Sequence, residues 1–381
     1  MSLKKLPLLS ATAAIGVLAT SLVQAQTVTA PVAPIAAKVQ WSEVRHGETV
    51  TDDYRWLQKK EDPKVIDYLN AENAYTVAMT DGVQALADKL FAETKGRMKE
   101  TDLSVPVRRG KYYYYSRTEA GKQYSINCRR LADANMNYDE KAAEEILLDQ
   151  NELAKPHKFF MVAGSLVSPD DRYLAYLTDT TGYRQFKLQI KDLKTGQLLS
   201  DSAERVTSFA WAADNKTMFF VQEDPVTKRS DRLFRLEIGA VPTEIYQEKV
   251  EQFGIGVGTT HDRKYIQLQA YATDTSETWL LPADQPQAKF KSVLGREKGH
   301  RYSVDHRDGM LFIRTNKNAK NFKVVTAPVA RPEAKNWKEL VKHDDKVLLG
   351  NVEVFRDYVA ITEKTNALNR TRIYNFKTKQ W

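Results

Sequence analysis

Cysteine is almost absent from this chain of 381 residues, since Cys128 is its single example. One thiol cannot form a disulfide within the chain, which excludes a small disulfide-stabilised fold. We predict that Cys128 is a half-buried strand thiol beside Arg129 and Arg130, and not a nucleophile, because no base is arranged near it in the sequence.

The residue patterns that bind metals, phosphates and nucleic acids are missing as well. The six histidines lie singly, without the H-x-H or H-E-x-x-H spacing that sets two ligands on one face. The glycine-rich stretch 254–258 lacks the Lys-Ser or Lys-Thr and the following helix of a phosphate loop, so it is predicted to be an inner strand. The net charge of +8 comes from 57 basic and 49 acidic residues without a run of five basic side chains. We therefore predict no metal, no cofactor and no nucleic-acid partner.

Long apolar runs are also lacking beyond the first 25 residues, and the mean hydropathy of −0.52 excludes an integral membrane protein. Lys4 and Lys5 precede an apolar stretch at 6–22, and Ala25 follows in a position that suits cleavage. This order predicts that residues 1–25 are a signal peptide cleaved after Ala25, with an uncleaved membrane anchor as the alternative. The mature chain is then expected to be periplasmic or secreted, with no membrane contact after cleavage.

The N-terminal region after that peptide contains two predicted segments. Residues 26–40 are rich in Ala, Pro and Val, which favours an extended linker. Residues 41–100 are predicted to be an N-terminal helical segment, because apolar residues recur at helical spacing between Asp53 and Leu90, as at Val65, Tyr68 and Leu69. Asp62 is expected to cap a helix whose first turn holds Pro63.

After residue 100 the apolar period changes to two, which is typical of strands. A polar turn followed by an apolar strand recurs six times, with the turns at 109–111, 170–172, 214–216, 262–264, 307–309 and 355–357. The last five turns are about 44–48 residues apart, which is the length of one four-stranded propeller blade. We therefore predict a mainly β fold, a propeller region over residues 101–381 with about six blades.

Several ordered motifs resemble the prolyl oligopeptidase family. DYRWL at 53–57, Asp62-Pro63 and AENAYT at 71–76 resemble its N-terminal helical signature, although Asp53 stands where the family usually has Pro. Later segments are similar to the oligopeptidase B branch, and they are ETDLSVP at 100–106, GKQY at 121–124, CRR at 128–130, VSPD at 167–170, DTTG at 179–182, TKRSD at 227–231, DHRD at 305–308 and TNKNAKNF at 315–322.

The resemblance implies a seven-bladed propeller that covers an α/β-hydrolase domain and admits short peptides to its Ser-Asp-His triad. It also implies cleavage after Lys or Arg in the oligopeptidase B branch. The chain contains no G-x-S-x-G nucleophile elbow, so we predict no catalytic residue among its 381 positions and no turnover by this chain alone. We expect an incomplete, truncated propeller without the α/β-hydrolase domain, and an unstable product.

Two further interpretations stay open. A non-enzymatic periplasmic propeller that binds peptides or a protein partner would have the same strands as the propeller of a peptidase. Acidic residues facing a tunnel would favour basic peptides, and Glu223, Asp224 and Asp274 are guesses for that role.

The four tyrosines at 112–115 are predicted to pack on both faces of a strand and not to form a binding platform. The oligomeric state is not fixed by any pattern.

Overall fold

The computed structural model describes residues 31–381, and these divide into two compact units with the boundary between Lys99 and Glu100. The predicted signal peptide and its cleavage site at Ala25 lie outside the described residues. Residues 31–40 have no regular secondary structure. Among residues 31–381, no helix has both the length and the apolar character needed to cross a membrane.

The first unit contains a short hairpin and two helices. Its elements are β1 (Ser42–Arg45), β2 (Glu48–Thr51), α1 (Pro63–Thr80) and α2 (Gln84–Gly96), with short 3-10 turns at Arg55–Gln58 and Asp81–Val83. The hairpin corrects the helical prediction for residues 41–100, because strands occupy the start of that segment. His46 and Gly47 have φ angles of 52° and 84°, and two left-handed residues in sequence make a hairpin turn whose twist matches that of the strands.

The start of α1 confirms the predicted cap. The Asp62 side chain accepts the Lys64 backbone N–H at 3.0 Å, and Pro63 occupies the first helical position. Pro is tolerated there because the first backbone N–H groups of a helix have no partner within the helix. Val65, on the next position but one, is buried.

The second unit consists of six antiparallel sheets in chain order. The first sheet contains β3 (Val107–Arg109), β4 (Tyr112–Arg117), β5 (Ile126–Leu131) and β6 (Glu144–Asp149), and helix α3 (Gln150–Ala154) follows it. The second contains β7 (Met161–Val167), β8 (Tyr173–Asp179), β9 (Lys187–Asp192) and β10 (Leu198–Ala203). The third contains β11 (Val206–Trp211), β12 (Thr217–Glu223), β13 (Ser230–Glu237) and β14 (Thr243–Gln247).

The fourth and fifth sheets repeat this four-stranded order, and the sixth has three strands. The fourth contains β15 (Gly254–Thr259), β16 (Tyr265–Tyr271), β17 (Ser276–Pro282) and β18 (Lys291–Leu294). The fifth contains β19 (Tyr302–Arg307), β20 (Met310–Thr315), β21 (Lys323–Pro328) and β22 (Lys338–Val341), with a 3-10 turn at Ala334–Asn336. The sixth contains β23 (Leu348–Val354), β24 (Tyr358–Thr365) and β25 (Leu368–Asn375).

Each of the six recurrent turns joins the first strand of a sheet to the second. The middle residue is left-handed in five of them, with φ of 59° at Gly110, 65° at Asp171, 66° at Asn215, 58° at Arg263 and 50° at Asp308. Gly, Asn and Asp tolerate this conformation best, which explains why polar turn residues mark the repeat in the sequence.

The core of the second unit lies between neighbouring sheets. Five buried apolar clusters lie between successive sheets, one at each boundary from the first and second sheets to the fifth and sixth. Phe219 and Val221 pack against Ile255 and Ile266, for example, between the third and fourth sheets. Among the described residues no such cluster joins the sixth sheet to the first. The predicted mainly β propeller with about six blades is therefore confirmed.

Candidate functional site: the axial cavity

A cavity of about 850 Å³ opens where the first strands of the sheets converge. Five of the six sheets contribute to its lining, and most of the contributing residues belong to a first strand or to the turn after it. We call this space the axial cavity and define it by Arg109, Ser168, Ala213, Arg263 and Phe355, one from each contributing sheet. Its size is that of an ordinary ligand pocket, and it opens to solvent.

The turns around the axial cavity are fixed by their own side chains. Ser168 Oγ lies 2.5 Å from Asp170 Oδ1 and accepts the Tyr173 N–H at 2.9 Å. In the fourth sheet, Thr260 Oγ1 donates to Asp262 Oδ1 at 2.7 Å. Ser, Thr and Asp side chains close such turns by replacing backbone partners. The cavity wall is therefore held by short local bonds.

Positive charge predominates in the lining. Arg108, Arg109 and Arg263 line the axial cavity, together with His261 and a single carboxylate, Asp171. Asp171 already has partners, since Lys111 Nζ lies 3.7 Å from Oδ2 and the Tyr114 hydroxyl donates to Oδ1 at 3.4 Å. Burial and the nearby Arg109 cation lower the pKa of Arg263 from its usual value.

Aromatic side chains complete the wall. The Trp211 indole is buried, and its Nε1 donates to the Leu166 carbonyl at 3.1 Å, across the boundary between the second and third sheets. The Phe355 ring meets the His261 ring edge to face, with centroids 4.3 Å apart. Such surfaces can pack on the apolar parts of a peptide while the arginines contact polar groups.

Comparison with known proteins identifies the domain. Residues 34–381 match the family described as "Prolyl oligopeptidase, N-terminal beta-propeller domain". The chain belongs to the prolyl oligopeptidase family. Curated relatives include dipeptidyl aminopeptidase BI of Pseudoxanthomonas mexicana, which is 35% identical over 95% of this chain and 52% of its own length. Protease 2 of Moraxella lacunata is 30% identical over 88% of this chain and 49% of its own length.

Solved structures agree with this assignment. Oligopeptidase B from Leishmania major superposes with a TM-score of 0.82 at 28% identity, over 91% of this chain and 51% of that one. Oligopeptidase B from Trypanosoma brucei, described with covalently bound antipain in a closed form, gives 0.80 at 26% identity, over 90% and 51% of the two chains. This prolyl oligopeptidase propeller is thus similar to that of oligopeptidase B, and it spans about half the length of the relatives it matches.

Cys128 of the prolyl oligopeptidase propeller is more deeply buried than the sequence predicts. It lies in β5 and is 1% exposed, not half-buried, because Tyr115 and Ile126 pack around it. Burial raises the pKa of its thiol to about 11. A thiol of that pKa is almost entirely protonated at neutral pH, so the predicted lack of nucleophilic character agrees with its environment.

One His–Asp pair has the spacing of a base and its orienting carboxylate. His306 Nδ1 lies 2.6 Å from Asp262 Oδ2. The other ring nitrogen, Nε2, accepts the Gly309 N–H at 3.0 Å, so it faces a backbone turn and not a nucleophile. This pair stabilises the turn after β19, and the prediction that the chain contributes no catalytic residue remains a prediction.

The three acidic residues named for basic peptides lie elsewhere. Glu223 pairs with Arg205 at 3.2 Å, Asp224 closes its own turn by accepting the Thr227 N–H at 2.8 Å, and Asp274 accepts from the adjacent Thr275 hydroxyl. None of the three is among the residues that line the axial cavity. The sequence suggested acidic residues at the cavity, whereas arginines predominate in its lining. These arginines belong to turns that are distant in the sequence and come together only in the fold.

The remaining candidates follow the packing interpretation. Tyr114 faces the second sheet, and Tyr115 lies on the opposite face of β4 against Tyr138. Gly254 begins β15, the first strand of its sheet, and a Cβ there would lie 3.3 Å from the Tyr271 ring. The six histidines are His46, His157, His261, His300, His306 and His343, and residues 31–381 contain no group of three or more His, Cys, Asp or Glu side chains arranged for a metal ion.

Proposed function

We propose that this domain controls the access of short peptides to the active site of a serine oligopeptidase. In this proposal a peptide occupies the axial cavity, and the peptide-bond cleavage itself takes place on residues outside these 381 positions. The basic specificity, cleavage after Lys or Arg, is proposed from the resemblance to oligopeptidase B. Export to the periplasm or beyond is proposed from residues 1–25.

The axial cavity is the observation that carries this proposal. Its volume of about 850 Å³ suits a short stretch of extended peptide. A folded domain has a radius of gyration of roughly 13 Å at 100 residues, so it cannot enter a space of this size. In this proposal size exclusion follows from the volume of the axial cavity.

Rigidity of the wall supports the same function. Ser168 and Thr260 close the turns at the rim, and the sheets behind them share buried apolar clusters. Separating neighbouring sheets anywhere from the first to the sixth would expose these clusters, which costs about 25 cal/mol for each Å² of apolar surface. Among the described residues no such cluster opposes movement of the sixth sheet away from the first. A wall of this kind filters by size without closing on each substrate.

A binding experiment tests the proposal. The purified chain is mixed with a fluorescent short peptide containing one Arg, and fluorescence anisotropy is recorded. We expect saturable binding, displaced by unlabelled peptide but not by a folded protein that displays the same residues in a surface loop. Equal competition by the folded protein would contradict size selection.

The same samples test the chemistry. We expect no cleavage of the Arg peptide by this chain alone, and no labelling by a serine-directed fluorophosphonate. Hydrolysis that is lost on fluorophosphonate treatment would show that a triad lies within these residues. That result would overturn the assignment of cleavage to residues outside this sequence.

A further inference from the structure

Three arginines line the axial cavity without a hydrogen bond or ion pair to any described carboxylate. Within residues 31–381, the guanidinium groups of Arg108, Arg109 and Arg263 make no hydrogen bond and no ion pair. Arginines elsewhere in the same sheets are paired, as Arg129 is with Glu145 at 2.7 Å. Cations that outnumber the carboxylates around them form a site for an anionic group.

The backbone at Arg263 gives an independent indication. Its φ of 58° is left-handed, and the equivalent turn positions hold Asp171 and Asn215 at 65° and 66°. Asp and Asn tolerate this region better than a long side chain such as Arg. Arg184 and Arg205 are also left-handed, both at 57°, but neither lines the axial cavity. A residue kept in an unfavourable backbone conformation beside a cavity is a candidate for a functional role.

Electrostatic repulsion between the two turns agrees with this interpretation. Burial is the largest cause of the lowered pKa of Arg263, and the positive charge of Arg109 is the next. The one carboxylate in the lining, Asp171, already contacts Lys111 and Tyr114. The negative charge of Asp171 partly opposes this shift at Arg263, but one carboxylate does not balance the charge of three arginines inside the cavity.

Guanidinium groups suit carboxylates well, because their planar N–H donors can contact both oxygens at once. Every peptide with a free C-terminus carries a carboxylate at that end. We propose that Arg109 and Arg263, with Arg108 beside them, bind the carboxylate of a peptide in the axial cavity, foremost its free C-terminus. This inference rests on the proposed function and names the feature of the peptide that the cavity recognises.

The orientation of the bound peptide follows from the charges. Three cations repel Lys and Arg side chains and attract the terminal carboxylate. A basic peptide therefore binds with its C-terminal end at the arginines and its basic side chains away from them.

A matched pair of peptides tests the inference. Two fluorescent peptides of one sequence are prepared, one with a free C-terminal carboxylate and one with an amide, and the dissociation constant of each is measured with the purified chain at low salt. We expect the acid to bind about tenfold more tightly, as two partly exposed charge-assisted contacts would give. We also expect this ratio to fall towards one in about 1 M NaCl, where charges are screened within a few ångströms.

Variants locate the effect. The double variant Arg109→Gln/Arg263→Gln is expected to bind acid and amide equally, and Arg109→Lys/Arg263→Lys, which keeps the charge, is expected to retain a preference for the acid. Arg331→Gln is the matched control, because Arg331 is exposed, has no side-chain partner among the described residues and lies outside the cavity lining. Circular dichroism confirms that each variant is folded.

Each outcome decides the question. Equal binding of acid and amide by the unmodified chain overturns the inference and leaves the proposed function standing, whereas failure of both peptides to bind overturns the two together. A preference that survives in the double Gln variant places the recognition elsewhere and also overturns the inference. Inorganic phosphate is tested as a competitor. If phosphate displaces the acid peptide at the same concentration as the unlabelled acid peptide does, the site binds small anions and the inference is overturned.

Discussion

The Asp305 carboxylate accepts the Val354 backbone N–H at 2.9 Å, and this bond crosses from the fifth sheet to the sixth. Its other oxygen accepts the N–H groups of His261 and His306 at 2.8 and 2.9 Å. One buried side chain thus joins three sheets beside the axial cavity. Burial raises the pKa of Asp305 even though three N–H groups stabilise its charged form. The position of the cavity rim therefore depends on a side chain in addition to apolar packing.

Replacing Asp305 with Ala is expected to destabilise the second unit by about 3 kcal/mol, because buried N–H groups lose their acceptor. Urea denaturation followed by tryptophan fluorescence measures the effect. Asp284→Ala is the matched control, since Asp284 is exposed and makes no side-chain hydrogen bond among the described residues. We expect the control to change stability by less than about 0.5 kcal/mol. Equal midpoints for the two variants would show that Asp305 does not hold the sheets together.

Arg296 is expected to control the acid sensitivity of the domain. Its Nε lies 2.8 Å from Glu277 Oε2, and its Nη2 pairs with the buried Glu248. Burial alone would raise the pKa of Glu248, but hydrogen bonds from Arg296, the Val250 N–H and Tyr246 outweigh it and hold the pKa below its usual value. A lowered pKa stabilises the fold above the ordinary carboxyl range, and this stability is lost as the pH falls through the lowered value.

Arg296→Ala is therefore expected to cost about 3 kcal/mol or more at pH 7, because two buried carboxylates lose their cation. The loss shrinks as the pH falls below the ordinary carboxyl range, since protonation then removes the uncompensated charges. Unfolding midpoints measured from neutral to acid pH test this, with Arg331→Ala as the control. A destabilisation that does not change with pH would show that Arg296 acts through packing alone.

Cys128 is expected to resist thiol reagents in the folded protein. Its side chain is 1% exposed, and burial raises the pKa of the thiol to about 11. We expect no reaction with an aromatic disulfide reagent at pH 8, and one thiol per chain after denaturation. Rapid labelling of the native protein would mean that β5 opens readily.

Arg263→Asn is expected to stabilise the second unit by about 1 kcal/mol, because Asn accepts the left-handed conformation more readily than Arg does. The reverse change at the equivalent turn, Asn215→Arg, is expected to destabilise by a similar amount. Thermal unfolding of the two variants provides the measurement. If Arg263→Asn lowers the melting temperature, the arginine is there for local stability and not for binding.

The repeat of polar turns predicted the six sheets because turn chemistry is local. Asp, Asn and Gly favour left-handed turn positions, so a turn can be recognised from these residue types alone, as at Asn215 and Gly110. The Asp62 cap and Pro63 predicted the start of α1 for the same reason. The hairpin Ser42–Thr51 was missed because its strands are short and exposed. His46-Gly47 is a turn signal, but the strands beside it lack the regular alternation of apolar and polar residues that predicts a hairpin.

The binding surface was less accessible to sequence reasoning. Arg109 and Arg263 lie in the first and fourth sheets, and only the packing of the sheets brings them to one cavity. Their lack of carboxylate partners is a property of the fold and not of any local pattern. Arg263 stands at the middle of its turn, where four of the other five turns have Asp, Asn or Gly and the sixth has Arg356. That irregularity at Arg263 is the one signal in the sequence that bears on the site.

A reporter inside the axial cavity gives the most direct test of size-selective peptide entry. Ala213 lines the cavity and is exposed, whereas Cys128 is buried, so an Ala213→Cys variant can be labelled with an environment-sensitive dye at that one position. We expect a short peptide to shift the emission of the dye saturably, and a folded protein carrying the same residues to leave it unchanged. An equal shift with the folded protein, or no shift with the peptide, would contradict entry of peptides by size.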